Sequence, residues 1–331
     1  MPLFGKKTDN KATKLFFATD VHGSERTWRK FLNAGKFYSA DVIVMGGDII
    51  GKMAIPIIRE GPGRYRATLQ GTVQHLEGDE ALKTLQDRIG FLGFYSQVMD
   101  DDEFRTLAAD PTAVDRLFHD LARQRLASWI QLAEERLAGT GIRAYVTGGN
   151  DDYADVLAVL KEAPAGNLID CEGKAVQLDD EHSMISVGLS TPTPWKTPRE
   201  VSEEELWTEI ERMATQVPDL SKTVFNFHDP PIDSTLDTCP MLDWSKDPPT
   251  QVFKAGQVVL HGAGSKSVRR AVESYQPMLG LHGHIHESAG VAKLGRTVCI
   301  NPGSEYGEGI LRGVLATLRA GEVDGYQLTS G

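Results

Sequence analysis

Five short apolar runs in this chain each end on side chains able to bind a cation. Lys14–Thr19 (KLFFAT) leads into Asp20 and His22, and Asp41–Gly47 (DVIVMGG) leads into Asp48. Ile142–Thr147 leads into Gly148-Gly149-Asn150, and Thr223–Phe227 into His228. Met278–Leu281 leads into His282-Gly283-His284-Ile285-His286. Short runs that are apolar throughout read as strands buried on both faces, the strands of a sheet covered by helices. In open α/β sheets the carboxyl ends of such strands gather at one edge, where sites form. The pattern therefore demands an α/β fold with its polar donors collected at one place.

The intervening segments fit that class. Ser24–Lys36 carries Trp28, Phe31 and Leu32 at helical spacing, which makes the opening a strand–helix–strand unit of a parallel sheet. His182–Leu189 and Thr297–Ile300 read as further strands. Ser202 and Glu205 form a capping box that opens a helix to about Met213, and Gly264–Ser274 reads as another helix. From Ile49 to about Thr140 the rhythm breaks. Arg59–Gly63 and the RYRATLQG that follows predict a hairpin, Asp79–Leu92 predicts a helix, and Thr112–Leu137 a long amphipathic one. The expected organisation is a flexible tail at 1–13 and a single domain over 14–331, with a hairpin and helical insertion at about 51–140. That insertion either covers the site or only elaborates the scaffold.

Charge narrows the function. Of 331 residues, 35 are basic and 46 acidic, a net charge of −11. Such a surface repels a nucleic-acid backbone and argues against a protein that coats DNA or RNA. Cys171, Cys239 and Cys299 show no CxxC spacing, which argues against a disulfide scaffold or a cysteine-built zinc site and for a reducing compartment. The opening MPLFGKKTDNKATK lacks the apolar core of a secretory signal. No run of about 18 apolar residues predicts a membrane span. A cytoplasmic protein is expected.

Each donor alone is weak evidence, because a Gly-Asp after a strand can cap a helix and a lone histidine is usually a satisfied core residue. Their joint occurrence in a chain with 9 histidines points to a metal site. Asp20, His22, Asp48, Asn150, His228, His284 and His286 are too many for one catalytic zinc, which takes three protein ligands and a water. They match two divalent metal ions sharing a carboxylate. Imidazole and carboxylate without thiolate suit manganese, iron, zinc, cobalt or nickel alike.

The order D-x-H, GGD, GGN, H, G-H-x-H resembles the calcineurin-like metallophosphoesterase superfamily, over residues 14 to about 304. The segments DVHGSE, GGND, LHGHIHES and NPGS are most similar to the branch called Icc-related phosphoesterases. The resemblance implies a four-layer αββα sandwich, two mixed sheets flanked by helices. It implies that Asp20, His22 and His286 hold one metal, that Asn150, His228 and His284 hold a second, and that Asp48 bridges them. It also implies hydrolysis of a small-molecule phosphoester by a metal-bridging hydroxide, with no covalent enzyme intermediate.

One departure affects the mechanism. The superfamily places a histidine after the motif asparagine and credits it with helping the leaving group, but here Asn150 is followed by Asp151. Asp151 can serve as an acid only if its pKa is raised; otherwise it is structural. Its charge slightly favours a phosphodiester over a monoester dianion. His261 is a second candidate acid, ahead of a helix whose first amides, at Gly264 and Ser265, could bind an anion. Arg59, Arg64 and Arg66 on the predicted hairpin could reach a phosphate. The Pro-rich Ser190–Arg199 (STPTPWKTPR) is expected to form a rigid wall by the cleft, and Asn301–Ser304 a structural turn. The competing readings are a catalytically silent interaction scaffold, which would be expected to lose ligands, and a nuclease, which would be expected to carry a basic groove.

Overall fold

The computed structural model describes residues 12–331. Two six-stranded mixed sheets face each other. The first runs in the order Glu322–Ser330, Arg312–Arg319, Thr13–Ala18, Val42–Met45, Arg143–Val146, Leu168–Asp170. Its last four strands are parallel, and the C-terminal hairpin is added antiparallel at Thr13–Ala18. The second runs Gly290–Leu294, Thr297–Asn301, Leu279–Leu281, Thr223–Phe227, Ser183–Val187, Ala175–Gln177, parallel in the middle with an antiparallel strand at each edge. The chain is a mixed α/β protein, as the apolar runs predict.

Strand alternation explains how the faces are used. Leu15, Phe17, Val42 and Val44 point at the second sheet and pack with Met184, Val224, Leu279, Leu281 and Ile300. Phe16, Ala18, Ile43 and Met45 point the other way, into helices Glu25–Phe37, Pro111–Leu137 and Ala154–Glu162. Trp28 stacks flat on Trp129 there, with ring centroids 4.6 Å apart. The long helix begins cleanly, with Asp110 as N-cap and Pro111 in the first turn, where a missing N–H costs nothing. On the second sheet, Ile185, Val187, Phe225 and Phe227 pack against helices Glu203–Ala214 and Lys266–Tyr275.

Three sequence expectations need amendment. The predicted hairpin is part of a four-stranded sheet in the order Thr72–Glu77, Arg64–Leu69, Ala54–Gly61, Tyr95–Met99, packed on helix Asp79–Phe91 through its own core of Ile55, Ile57, Tyr65, Leu85 and Ile89. Most of the expected tail, residues 1–11, lies outside the described residues, but Thr13 is buried and begins the first strand, opposite Leu318. The third concerns 238–262, where the sequence pattern predicts no strand and the chain folds into three short two-stranded ribbons. Among the described residues no helix is long and apolar enough to cross a membrane.

Candidate metal centre

In-register parallel strands deliver the donors. Ala18 pairs with Met45, Met45 with Val146, and Asn226 with Leu281, so the loops after these strands start level with one another. Backbone bonds then join the edges: Asp20 N–H donates to the Gly47 carbonyl (2.9 Å), and Gly283 N–H to the His228 carbonyl (3.0 Å). Four donors sit in left-handed backbone: Asp20 (φ 53°), His22 (φ 39°), Asp48 (φ 49°) and His284 (φ 66°). L-residues avoid that region, and where it persists the surroundings enforce it, typically at functional sites. Two glycines are required by close approach. A Cβ at Gly149 would overlap Asp48, and one at Gly283 would overlap Thr19 and Asp20.

The structure brings the seven sequence-selected donors into one cluster. Asp20, His22 and His286 form one group able to hold a metal ion, and Asp48, His228 and His284 form another. His22 Nε2 faces His286 Nε2 at 3.1 Å, and His286 Nε2 lies 3.2 Å from Asp20 Oδ1. Asn150 Oδ1 lies 3.1 Å from His228 Nε2 and 2.7 Å from His284 Nδ1. Asp48 stands between the groups: its Oδ2 is 3.7 Å from His22 Nε2 and 3.4 Å from His228 Nε2. Its other oxygen, Oδ1, accepts the Asp151 N–H (2.9 Å).

These residues fit a bound cation. His228 Nδ1 donates to the Gly46 carbonyl (3.0 Å), so Nε2 turns inward as the free donor atom, the usual arrangement of a metal-binding histidine. Burial works against charge on His228, yet Asp48 and Asp20 outweigh it and carry the imidazole up to about 10. For Asp20 too burial opposes charge, but His286 and His228 hold its carboxyl well below the ordinary range. Burial and then His228 push His284 down to about 4. Carboxylates that force a proton onto a buried imidazole mark a site short of positive charge, and ring nitrogens that converge on one another want a cation between them.

Several residues at the site carried no sequence signal. Lys52 Nζ lies 2.8 Å from Asp151 Oδ2. Tyr306 packs its ring 4.7 Å from that of His22. Asp152 is buried and accepts from the N–H groups of Ile49 (3.1 Å), Ile50 (2.7 Å) and Gly149 (2.7 Å), locking the loop after one strand to the loop after another. Thr197 Oγ1 accepts from Asn150 Nδ2 (2.8 Å) and donates to Glu200 Oε1 (2.8 Å). That chain, together with Asp151 Oδ1, which also accepts from Asn150 Nδ2 (3.3 Å), fixes the Asn150 amide with its oxygen toward His228 and His284.

The secondary candidates fare differently. Asp151 adjoins the cluster, 3.7 Å from His22 Nδ1, and forms a third metal-capable group with His22 and Asp48. Burial and then Asp48 raise its pKa, while Lys52 pulls against them. His261 lines the cavity over the cluster, but its ring lies against Cys239 Sγ (3.4 Å) and the Gly262 carbonyl (3.2 Å), outside the three Asp/His groups. The amides of Gly264 and Ser265, expected to receive an anion, are already taken by the protein: they donate to Asp237 Oδ2 (3.3 Å) and to the Pro230 carbonyl (2.9 Å), and the helix start beyond them is filled by a carboxylate. Glu203 accepts from Ser265 Oγ (2.7 Å) and from the N–H groups of Lys266 (2.7 Å) and Ser267 (2.9 Å). Arg59, Arg64 and Arg66 do not line the cavity, and Arg66 is bound to Glu60 (2.9 Å). The cavity's outer walls are the 191–198 segment and the ribbons of 239–251; from the 51–140 segment only Gly51, Lys52 and Phe118 reach it. The Asn301 side chain donates to the carbonyls of Leu236, Gly283 and Ile285, a structural role.

No family model matches the chain. An uncharacterised protein of Methanocaldococcus jannaschii, MJ1162, is 29% identical over 161 residues, 46% of this chain and 65% of that protein, so the match spans a little under two thirds of the relative. An archaeal phosphodiesterase aligns over 96% of this chain and 100% of its own at 11% identity, with a TM-score of 0.35 too low to speak for the fold. One solved structure superposes with a TM-score of 0.56 at 16% identity, covering 96% of this chain and 99% of its own. TT1561 of Thermus thermophilus superposes with a TM-score of 0.53 at 12% identity over 97% of this chain and 99% of its own. At these identities the likeness is one of fold, and it extends across nearly the whole of this chain.

Proposed function

We propose that this chain is a metal-dependent phosphoesterase of the calcineurin-like metallophosphoesterase kind, most similar to the Icc-related branch. The observation that carries the reading is Asp48 Oδ2, which lies within 3.7 Å of ring nitrogens from both Asp/His groups. A single carboxylate oxygen between two nests of imidazole and carboxylate is what a shared ligand of two cations requires. In this reading Asp20, His22 and His286 hold one divalent ion, Asn150, His228 and His284 hold the other, and Asp48 serves both. The layering of helices on two facing sheets is read as the four-layer sandwich of that superfamily, in one domain carrying the 51–140 insertion. Three cysteines without disulfides suit a cytoplasmic setting.

Two cations held there would supply a more acidic water at neutral pH and would offset charge on the phosphoryl oxygens. The chain's own residues do the rest. Lys52 presents an ammonium at the cavity edge, where it can pair with a substrate phosphoryl oxygen or with Asp151. Asp151 is raised by burial and by Asp48, the direction a proton donor to the leaving group needs. Lys52 offsets part of the Asp151 charge that would disfavour a dianion, so the preference for a diester over a monoester is a modest one.

The test is metal analysis of the purified protein, followed by hydrolysis assays with added Mn²⁺ on matched aryl phosphomonoesters and phosphodiesters. Mn²⁺-dependent turnover is expected; metal-loaded protein inert on every ester would leave the interaction scaffold as the reading. Asp151→Asn separates the two roles of Asp151. As the acid, it should cost about 10²–10⁴-fold on alkyl leaving groups and little on p-nitrophenolate. Equal losses on both would pass the role to His261 or to water.

A further inference from the structure

We infer that the 51–140 insertion is a positioning element of the metal centre that acts without entering the cavity: Tyr95 places Lys52, and Arg125 places the loop that carries His22. What the placed groups do in turnover rests on the phosphoesterase reading; how they are placed does not.

Tyr95 and Arg125 are absent from the cavity lining, yet both bond to loops that end there. Tyr95 holds Lys52 from both flanks. The Gly51 N–H donates to Tyr95 Oη (2.7 Å), and the Tyr95 N–H donates to the Met53 carbonyl (2.9 Å). Tyr95 itself is buried and opens the strand Tyr95–Met99, paired in parallel with Ala54–Gly61. Lys52 and Met53 are both about half exposed, so core packing does not fix this stretch. The two bonds to one residue do, and they leave the Lys52 ammonium to reach Asp151 Oδ2 (2.8 Å).

Arg125 stands on the long helix Pro111–Leu137. One guanidinium spans the loop after the first strand and the start of the next helix. Its Nη1 donates to the Gly23 carbonyl (2.9 Å), and its Nε lies 3.0 Å from the Glu25 carboxylate. Its charge also sits over the Tyr95 ring, 5.3 Å from the centroid, which links the two contacts. The Gly23 carbonyl matters because His22 and Gly23 are both left-handed (φ 39° and 73°). For His22 that conformation persists only where the surroundings impose it. The Gly23 N–H donates to the Ile49 carbonyl (2.9 Å), tying this loop to that of Asp48, and Arg125 takes its other polar group. The turn before Tyr95 seats on the same loop: Ser24 Oγ donates to the Phe91 carbonyl (2.8 Å), and a Cβ at Gly93 would overlap the His22 carbonyl. If these contacts only docked the insertion, their loss would loosen the whole fold rather than two loops.

The experiment is hydrogen exchange on the full chain with metal removed, for wild type, Tyr95→Phe and Arg125→Met, followed by Mn²⁺ titration of each. Tyr95→Phe keeps the ring and removes only the acceptor of the Gly51 N–H. Exchange over 50–53 should quicken about two- to tenfold, the weight of one hydrogen bond. Arg125→Met should quicken 20–25 by at least as much, and 226–230 on the second sheet should keep the wild-type rate in both. Arg125→Met should weaken Mn²⁺ binding about 10–100-fold, and Arg125→Lys, still able to reach the Gly23 carbonyl, should recover part of it. Tyr95→Phe should leave Mn²⁺ binding alone and cost aryl monoesters about two- to tenfold more than diesters. In a Lys52→Met background it should cost nothing further, because the two residues act as one unit. Equal quickening at 226–230 overturns the inference, as does unchanged exchange at the two loops. So does a Tyr95→Phe loss as large without the Lys52 ammonium as with it. A wild type that binds no Mn²⁺ overturns the phosphoesterase reading instead, and the exchange arm then decides the inference alone.

Discussion

The cluster at the strand ends and the wall above it are made in opposite ways. Asp20, Asp48 and His228 are almost wholly buried, and their loops are cross-bonded through Asp152, Asn301 and the backbone. Four of the seven donors are held in backbone conformations that side chains normally avoid. The wall at 238–262 is built from strands of two or three residues and leaves Trp244 nearly half exposed and Phe253 and Leu260 largely in solvent. Where the fold over-determines geometry, it can store strain and place a charge; where it does not, the surface can change without disturbing the chemistry. On the proposed function, damage to the cluster should therefore abolish turnover, while damage to the wall should change which ester is accepted.

The largest effect expected is at Asp48. Asp48→Asn keeps the shape but removes the charge that both groups share. Losing a group that only supports a metal ligand typically costs about 10–100-fold, so if Asp48 is the shared ligand of the proposed function, its loss should exceed 10²-fold in kcat/KM. Metal content by elemental analysis should fall in parallel. Full activity with full metal content would break the comparison, because the cluster would then tolerate change as the wall does.

Thr197 belongs to the wall but acts on the cluster. Thr197→Val removes the nearer of the two acceptors of Asn150 Nδ2 and leaves only the longer contact to Asp151 Oδ1 (3.3 Å) to keep the amide oxygen on His228 and His284. Mn²⁺ affinity should drop about 10–100-fold, as for other outer-shell changes, with little change in Tm. Thr197→Ser should restore it. An unchanged Mn²⁺ titration for the Val variant would mean that wall and cluster are uncoupled.

How much of this is legible in the sequence follows from the same contrast. Asp20, Asp48, Asn150, His228 and His284 stand directly behind apolar runs, so strand topology alone carries them to one edge. Lys52 cannot be found that way: it lies four residues past Asp48, at no spacing that predicts a contact with Asp151. Thr197 reaches Asn150 across 47 residues of chain, through a turn whose path no local pattern encodes. The ribbons of 238–262 leave no trace because two-residue strands are too short to show a period of two. The predicted hairpin is present as the antiparallel pair Ala54–Gly61 and Arg64–Leu69, but Thr72–Glu77 (TVQHLE) is mostly polar and exposed, so the pattern misses that this strand extends the hairpin into a larger sheet. Arg66 suits a phosphate by type, but Glu60 on the neighbouring strand occupies it. Glu203 reads in sequence only as part of a helix's first turn, yet its carboxylate caps a second helix 63 residues on.

Lys52 offers a smaller, more selective effect. Lys52→Met leaves the Asp151 charge unpaired beside Asp48, and that charge should weigh more on a dianion than on a monoanion. kcat/KM for aryl monoesters should fall roughly tenfold more than for matched diesters, the size of one lost charge-assisted contact. Equal losses would place Lys52 outside the substrate's reach.

The smallest effect tests whether the region beside the wall is independent of the chemistry. Glu203 accepts from Ser265 Oγ and from the N–H groups of Lys266 and Ser267 at the start of helix Lys266–Tyr275. Burial opposes its charge, but these bonds outweigh burial and hold its carboxyl below the ordinary 4.5. A carboxylate with a lowered folded-state pKa adds stability above its unfolded value and loses it as pH falls through the folded one. Glu203→Gln should therefore cost about 1 kcal/mol at pH 7, the scale of a cap plus a helix-dipole contact. The difference should shrink steadily below about pH 4.5, where the wild-type carboxyl begins to take up its proton. Paired denaturant titrations at neutral and acidic pH would measure it. Metal affinity and turnover at pH 7 should not move, because this helix start is filled by the protein itself. A loss of turnover larger than the loss of stability would make the Glu203 cap part of the site, and the division between cluster and surroundings would have to be redrawn there.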